Sequence, residues 1–226
     1  MGFSKEWETA YSKNTHLSVW PWSHVISLTH RYCDLHEGMK VLELGCGAGA
    51  NVPYFISLGV DYYGLEGSET MVRKLSEQFF QNNCHFAQAD FTKSFFFENL
   101  YNNGGVDVII DRSSVTHNST EDIKKVVELS KKYLKCGGIY IGMDWFSTEN
   151  EFFKNKQYKA DVIDSNTLVF KEGYFNELGN VHFSDEKHIR EIFKDFRIEF
   201  LEHKLHEQIE PYKINWAWWD FVVTKK

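Results

Sequence analysis

Three glycines at alternate positions close an apolar run that carries one acid, Val41-Leu42-Glu43-Leu44-Gly45-Cys46-Gly47-Ala48-Gly49. The run reads as a buried parallel strand, and the glycines permit a sharp turn that brings backbone N–H groups against a ligand. A small cofactor belongs there. Gly45, Gly47 and Ala50 also satisfy the dinucleotide fingerprint G-x-G-x-x-G/A, whose pyrophosphate would rest on the next helix N-terminus. Glu43 weighs against a pyrophosphate, because its carboxylate would repel one and attract a cofactor with a cationic end. A second acid, Glu66 in Gly64-Leu65-Glu66-Gly67-Ser68, ends the next apolar run about 20 residues on, where a carboxylate can accept two hydrogen bonds from a ribose diol. That feature suits either kind of nucleoside cofactor, so an NAD(P)-linked oxidoreductase stays open.

Val106-Asp107-Val108-Ile109-Ile110-Asp111 leads into Arg112-Ser113-Ser114-Val115-Thr116-His117-Asn118. Ligands of open α/β sheets gather outside the carboxyl ends of strands, so this loop should face the reacting group. An unperturbed imidazole titrates near neutral pH, which makes His117 the candidate general base; a helix-capping or packing histidine is the alternative. Arg112 suits a phosphorylated or carboxylated ligand, and a pairing with Asp111 competes with that role.

At Glu43, Gly45, Gly47 and Gly49 the chain resembles the class I S-adenosylmethionine (SAM) dependent methyltransferases, whose first motif is E/D-x-G-x-G-x-G. The resemblance implies SAM as cofactor, with its amino-acid end at the glycine turn and its sugar on Glu66 beside Gly67 and Ser68. It also implies that Asp90 accepts from the adenine amino group while Phe91 packs on the ring. Asp111, Tyr11, Trp20 and Trp22 complete the expected cofactor set. The segment before the first strand commonly closes over SAM in this family, and aromatic faces there could surround a sulfonium. Trp7 reads more simply as a hydrophobic anchor. Arg112 and Tyr174 are the expected acceptor contacts. The Trp20-Pro21-Trp22 entry resembles methyltransferases of bacterial surface-polysaccharide modification, which implies a hydroxyl of a sugar or phosphorylated building block as acceptor. An N-methyltransferase of a small amine and a non-catalytic SAM-binding module remain alternatives. The Asn/Asp-Pro-Pro-Tyr motif of DNA amino-methyltransferases does not occur.

Apolar runs alternate with amphipathic segments, the pattern of strand–helix–strand units. Strands are predicted over 39–44, 61–65, 84–87, 106–111 and 138–144. Ser68 and Ser119 cap helices, Cys136-Gly137-Gly138 ends one, and Ser184-Asp185-Glu186 opens another that runs through Phe196. The extended runs 197–205 and 216–224 are joined by a loop too short for a helical crossover, so they form an antiparallel hairpin. The expected fold is α/β: a seven-stranded, mostly parallel sheet with helices on both faces and an antiparallel C-terminal strand. One domain spans 1–226, with cap helices over 1–35 and a lid insertion over 146–183.

The 226 residues carry a formal charge of -7, which argues against a nucleic-acid partner. Lys124, Lys125, Lys131, Lys132 and Lys135 read as one solvated helix face. Cys33, Cys46, Cys84 and Cys136 lie far apart without metal-ligand spacing, and neither His182 with His188 nor His203 with His206 gives a helical i, i+4 pair. No metal is expected. Without a bilayer-length apolar run or a signal-peptide core, the expected location is cytoplasmic, the expected partner a small-molecule methyl acceptor.

Overall fold

The computed structural model describes residues 5–13, 17–95, 97, 100 and 104–226. Five parallel strands run through its centre: β1 (Lys40–Leu44), β2 (Asp61–Glu66), β3 (Cys84–Gln88), β4 (Val106–Arg112) and β5 (Leu134–Phe146). β9 (Phe196–Gln208) and β10 (Ile214–Lys225) complete a seven-stranded sheet of order β3-β2-β1-β4-β5-β10-β9. β10 is antiparallel to both β5 and β9. The reversed strand and the hairpin stand as the sequence predicts.

Successive strand side chains point to opposite faces, so each central strand feeds two cores. Leu42, Leu44, Ile109 and Tyr140 pack with α5 (Thr120–Tyr133) and α7 (Glu186–Ile192) on one side. Val41, Val108, Ile110 and Ile141 pack on the other with α2 (Ser23–Tyr32), α3 (Val52–Ser57) and α4 (Glu69–Gln78). Both faces are covered, which explains why the strands lack polar alternation. α1 (Lys5–Ser12) docks on α4 through Glu8, whose Oε1 accepts from Thr70 Oγ1 at 2.5 Å.

The segment after β5 has its own core. α6 (Glu151–Lys154) and an antiparallel sheet of β6 (Ala160–Val162), β7 (Thr167–Phe170) and β8 (Asn180–His182) bury Phe146, Phe152, Phe170, Phe175 and Phe183 together. Trp216 and Trp218 of β10 pack against this cluster, whereas Trp219 is buried in the main core.

Two predicted boundaries shift. α5 ends at Tyr133 and β5 starts at once with Leu134, so Cys136-Gly137-Gly138 lies in an irregular start of the strand and ends no helix. α7 stops at Ile192, because Phe193 leaves helical geometry and buries its ring against Trp145 and Phe221. No helix among the described residues is long and apolar enough to cross a membrane.

Candidate active site

A cavity of about 1510 Å³ opens at the carboxyl ends of β1, β2, β4 and β5, roofed by α1 and the insertion. Its volume exceeds the few hundred Å³ typical of a single drug-sized ligand, so two molecules fit side by side. The glycine turn forms one end. Gly45 has φ +66°, and a Cβ there would sit 2.4 Å from Ser114 Cβ, so no other residue fits without moving the loop after β4. Gly47 has φ +54° and lies under Tyr11, whose hydroxyl a Cβ would approach to 3.0 Å. Tyr11 is thereby fixed over the turn, and burial pushes its phenol well up.

Glu66 stands beside this turn with a locked carboxylate. Its Oε2 accepts from Gly47 N at 2.8 Å and its Oε1 from Ser68 N at 3.0 Å. Each oxygen keeps a second lone pair for a diol. Burial raises its pKa against the pull of those backbone donors. Glu43 lies deeper, accepting from Tyr62 OH at 2.6 Å and Asn51 Nδ2 at 2.8 Å. Burial pushes it up to about 7, so its charge near neutral pH depends on what enters the cavity. Asn51 Oδ1 accepts from Trp22 N at 3.1 Å and ties the chain before α2 to the same acid. Gly67, Asp90 and Phe91 also line the wall. Asp90 turns its oxygens to its own loop, accepting from Thr92 N and Oγ1 and pairing with Lys93.

On the neighbouring strand, Arg112 pairs with Asp144 at 2.9 Å, and its guanidinium carbon lies 3.5 Å from the centroid of the Trp22 ring. The expected competitor, Asp111, is not its partner. His117 also lines the wall. Its Nδ1 donates to the Asn180 carbonyl at 3.0 Å, and the Leu178 backbone also engages the ring. Burial holds its pKa down at about 4, and Trp7 meets its ring edge-on at 5.4 Å. Tyr174 lines the cavity against Trp216, 64% exposed.

The family model of the methyltransferase domain matches residues 35–197. This chain belongs to that family. Its seven-stranded sheet is the fold of the class I SAM-dependent methyltransferases. A SAM-dependent methyltransferase from Methanosarcina mazei superposes with a TM-score of 0.70 at 15% identity, covering 91% of this chain and 98% of that one. One from Clostridium acetobutylicum gives 0.60 at 15% identity, over 99% and 92%. Among curated proteins, phosphoethanolamine N-methyltransferase of Plasmodium falciparum is 27% identical over 79% of this chain. Phosphoethanolamine N-methyltransferase 3 of Arabidopsis thaliana is 31% identical over 64%. The chain spans 66% of the length of the first and 30% of the second.

Within this methyltransferase fold, several expected cofactor contacts serve the scaffold. Asp111 is fully buried, and it accepts from Ser114 Oγ at 2.6 Å, Val115 N at 3.0 Å and Trp145 Nε1 at 2.6 Å, stapling the loop that carries His117. Ser68 is the N-cap of α4, accepting from Met71 N. Gly49 makes room for Leu75, which a Cβ would meet at 2.4 Å. Trp20 stands 81% exposed and is not among the residues that line the cavity. Asn51, Tyr62, Asp144 and Lys204 escaped the sequence reading. Tyr62, Asp144 and Lys204 meet their partners on other strands, and Asn51 meets Glu43 across the glycine turn, so no familiar spacing announces them.

His24, Asp144 and Asp220 bring ligand-type atoms within 4.8 Å of one another, the single such group of three among the described residues. Lys204 Nζ lies 2.8 Å from both acids. His182 and His188, six apart and unpromising as a helical pair, meet Nε2 to Nε2 at 3.2 Å across β8 and α7.

Proposed function

We propose that this domain transfers a methyl group from SAM to a nitrogen of a small phosphorylated acceptor. One observation carries the reading: Glu66, the glycine turn, Arg112 and His117 all line a single continuous cavity. The donor set fits the cofactor, since a buried carboxylate suits a ribose diol and turned-up backbone a carboxylate end. When bound, SAM supplies an electrophilic methyl on a sulfonium, a leaving group that departs neutral.

The residues here have little covalent work to do; they align, exclude water and manage one proton. Glu66 and the glycine turn hold the sugar and the amino-acid end, with Tyr11 as cover. Residues 146–183 act as a lid, and 1–35 as the cap opposite. Arg112 receives the acceptor's phosphate, as a guanidinium does through paired N–H donors. A nitrogen acceptor is favoured by His117. An imidazole held at about 4 is a weak base for a hydroxyl, whereas an ammonium gives up its proton far more readily than an alcohol and then attacks with the lone pair so freed. The names of the curated relatives support the same chemistry. A hydroxyl of a sugar or phosphorylated building block is the second reading, favoured by the Trp20-Pro21-Trp22 entry.

Calorimetry with SAM, its demethylated product S-adenosylhomocysteine and NAD decides the cofactor; binding of NAD alone would overturn the proposal. Labelled SAM offered with phosphoethanolamine, ethanolamine and a sugar phosphate then decides the acceptor. Methyl transfer to phosphoethanolamine in preference to ethanolamine is expected. Transfer only to the sugar phosphate replaces the nitrogen reading with the oxygen one. Binding without transfer to any of them favours a non-catalytic module.

A further inference from the structure

Close to the glycine turn, at the carboxyl ends of β4 and β5, side chains from five elements converge. Lys204 of β9 places Nζ 2.8 Å from Asp144 Oδ1, 2.8 Å from Asp220 Oδ2 and 3.3 Å from His24 Nδ1. Two carboxylates and an imidazole are a donor set that divalent ions take. Here the lysine ammonium reaches all three. Arg112 holds the remaining oxygen of Asp144 and lies over Trp22.

Asp144 is backbone-strained, with φ 54°. The other non-glycine residues with positive φ among the described ones are Ser113 and Glu177, and all three line this one cavity. Such conformations cost about 1–3 kcal/mol each and persist only where the surroundings over-determine them. Asp144 is over-determined: its N–H donates to Asp220 Oδ1 at 2.8 Å, and two cations grip its carboxylate. His24 is exposed and Arg112, Asp144 and Lys204 are partly so, and solvent screening with desolvation offsets much of what such ion pairs contribute to stability.

Both oxygens of Asp144 and of Asp220 are engaged within the cluster, and Lys204 with them. Arg112 is different. Its bond to Asp144 runs through Nη2, while a guanidinium has five N–H donors in a rigid fork, which leaves donors for a second anion.

We propose that Lys204 is a positioning residue for acceptor binding: it locks Asp144, and Asp144 in turn fixes Arg112 against Trp22 with its remaining donors toward the acceptor's anionic group. The proposal rests on the reading of the acceptor as phosphate-bearing. Asp220, 2% exposed on β10, anchors the lysine.

Calorimetry of the protein saturated with S-adenosylhomocysteine, titrated with phosphoethanolamine and separately with inorganic phosphate, tests it. Lys204→Met should keep S-adenosylhomocysteine affinity within about twofold and weaken phosphoethanolamine by about tenfold or more. Zn²⁺ should restore much of that loss, because His24, Asp144 and Asp220 then accept the ion in place of the ammonium. Zn²⁺ should not rescue Lys204→Met combined with Asp220→Asn. This double variant carries no uncompensated buried acid, so it decides the matter where the single variant does not fold. Unchanged phosphoethanolamine affinity in either variant, or equal loss of both ligands, overturns the proposal. A wild type that binds S-adenosylhomocysteine but neither phosphate compound overturns the anionic-acceptor reading itself.

Discussion

On the proposed reading Glu66 serves the cofactor and His117 the proton, so the two should fail in opposite ways when replaced. Glu66 is assigned to the cofactor by that reading, and its carboxylate is pre-set by two backbone donors. Glu66→Ala removes charge-assisted bonds to a ribose and should weaken S-adenosylhomocysteine by about tenfold or more in calorimetry. An unchanged dissociation constant would place the sugar elsewhere. His117 is assigned the acceptor's proton, so His117→Ala should leave that constant alone and lower kcat by about tenfold or more. The pH profile separates its roles further. Burial holds its pKa at about 4, below the ordinary value of 6.5, so the ring is neutral and able to accept from about pH 5 upward. Any acid limb due to His117 should therefore fall near pH 4. A limb near 6.5 in the wild type, absent from His117→Ala, would show that the ring is solvated in the working enzyme.

Elements that pair locally were legible from the chain, and those that depend on distant partners were not. The strands showed as apolar runs because both sheet faces are covered, and the reversed β10 showed because the loop before it is too short for a crossover. The glycine turn and Glu66 were readable for the same local reason. Asp111 was misread because nothing near it in sequence reveals Trp145 and Tyr140, 34 and 29 residues on, which draw it under the loop. The docking of α1 was equally hidden. Glu8 accepts from Thr70, 62 residues away, and these bonds hold its carboxyl below the usual range. That carboxylate sits at the first turn of α4, where it complements the helix N-terminus. Glu8→Ala should release α1, which carries Trp7 and Tyr11 over the cavity. Faster amide exchange across residues 5–12 and an S-adenosylhomocysteine affinity lowered about threefold are expected, the size of a lost helix cap. Protection that survives the substitution would mean that the aromatic contacts alone hold the helix.

At the scale of the whole molecule, buried histidines tie folding to pH. His182 is fully buried between Thr167, at 2.9 Å, and His188, at 3.2 Å, and desolvation together with His188 drives its pKa down to about 3. Asp164 pulls the other way without winning. The unfolded chain binds a proton at this ring near pH 6.5, whereas the folded chain resists until about pH 3. The unfolded state therefore holds more protons throughout that window, and stability falls as the pH drops through it. The slope is about 1.4 kcal/mol per pH unit for one such group, before His188 adds its own smaller share. Glu43 acts in the opposite sense: its folded pKa of about 7 lies above the ordinary 4.5, so it favours the folded state below that range and ceases to do so as pH rises through 7. A single wild-type curve mixes the two. The difference between wild type and His182→Phe isolates the histidine, because Glu43 is common to both. Urea unfolding at pH 7 and pH 5 should show the wild type losing about 2 kcal/mol relative to the variant over those two units. Parallel losses in both proteins would mean that water reaches His182 in the folded state, and that the insertion is looser on α7 than its packing implies.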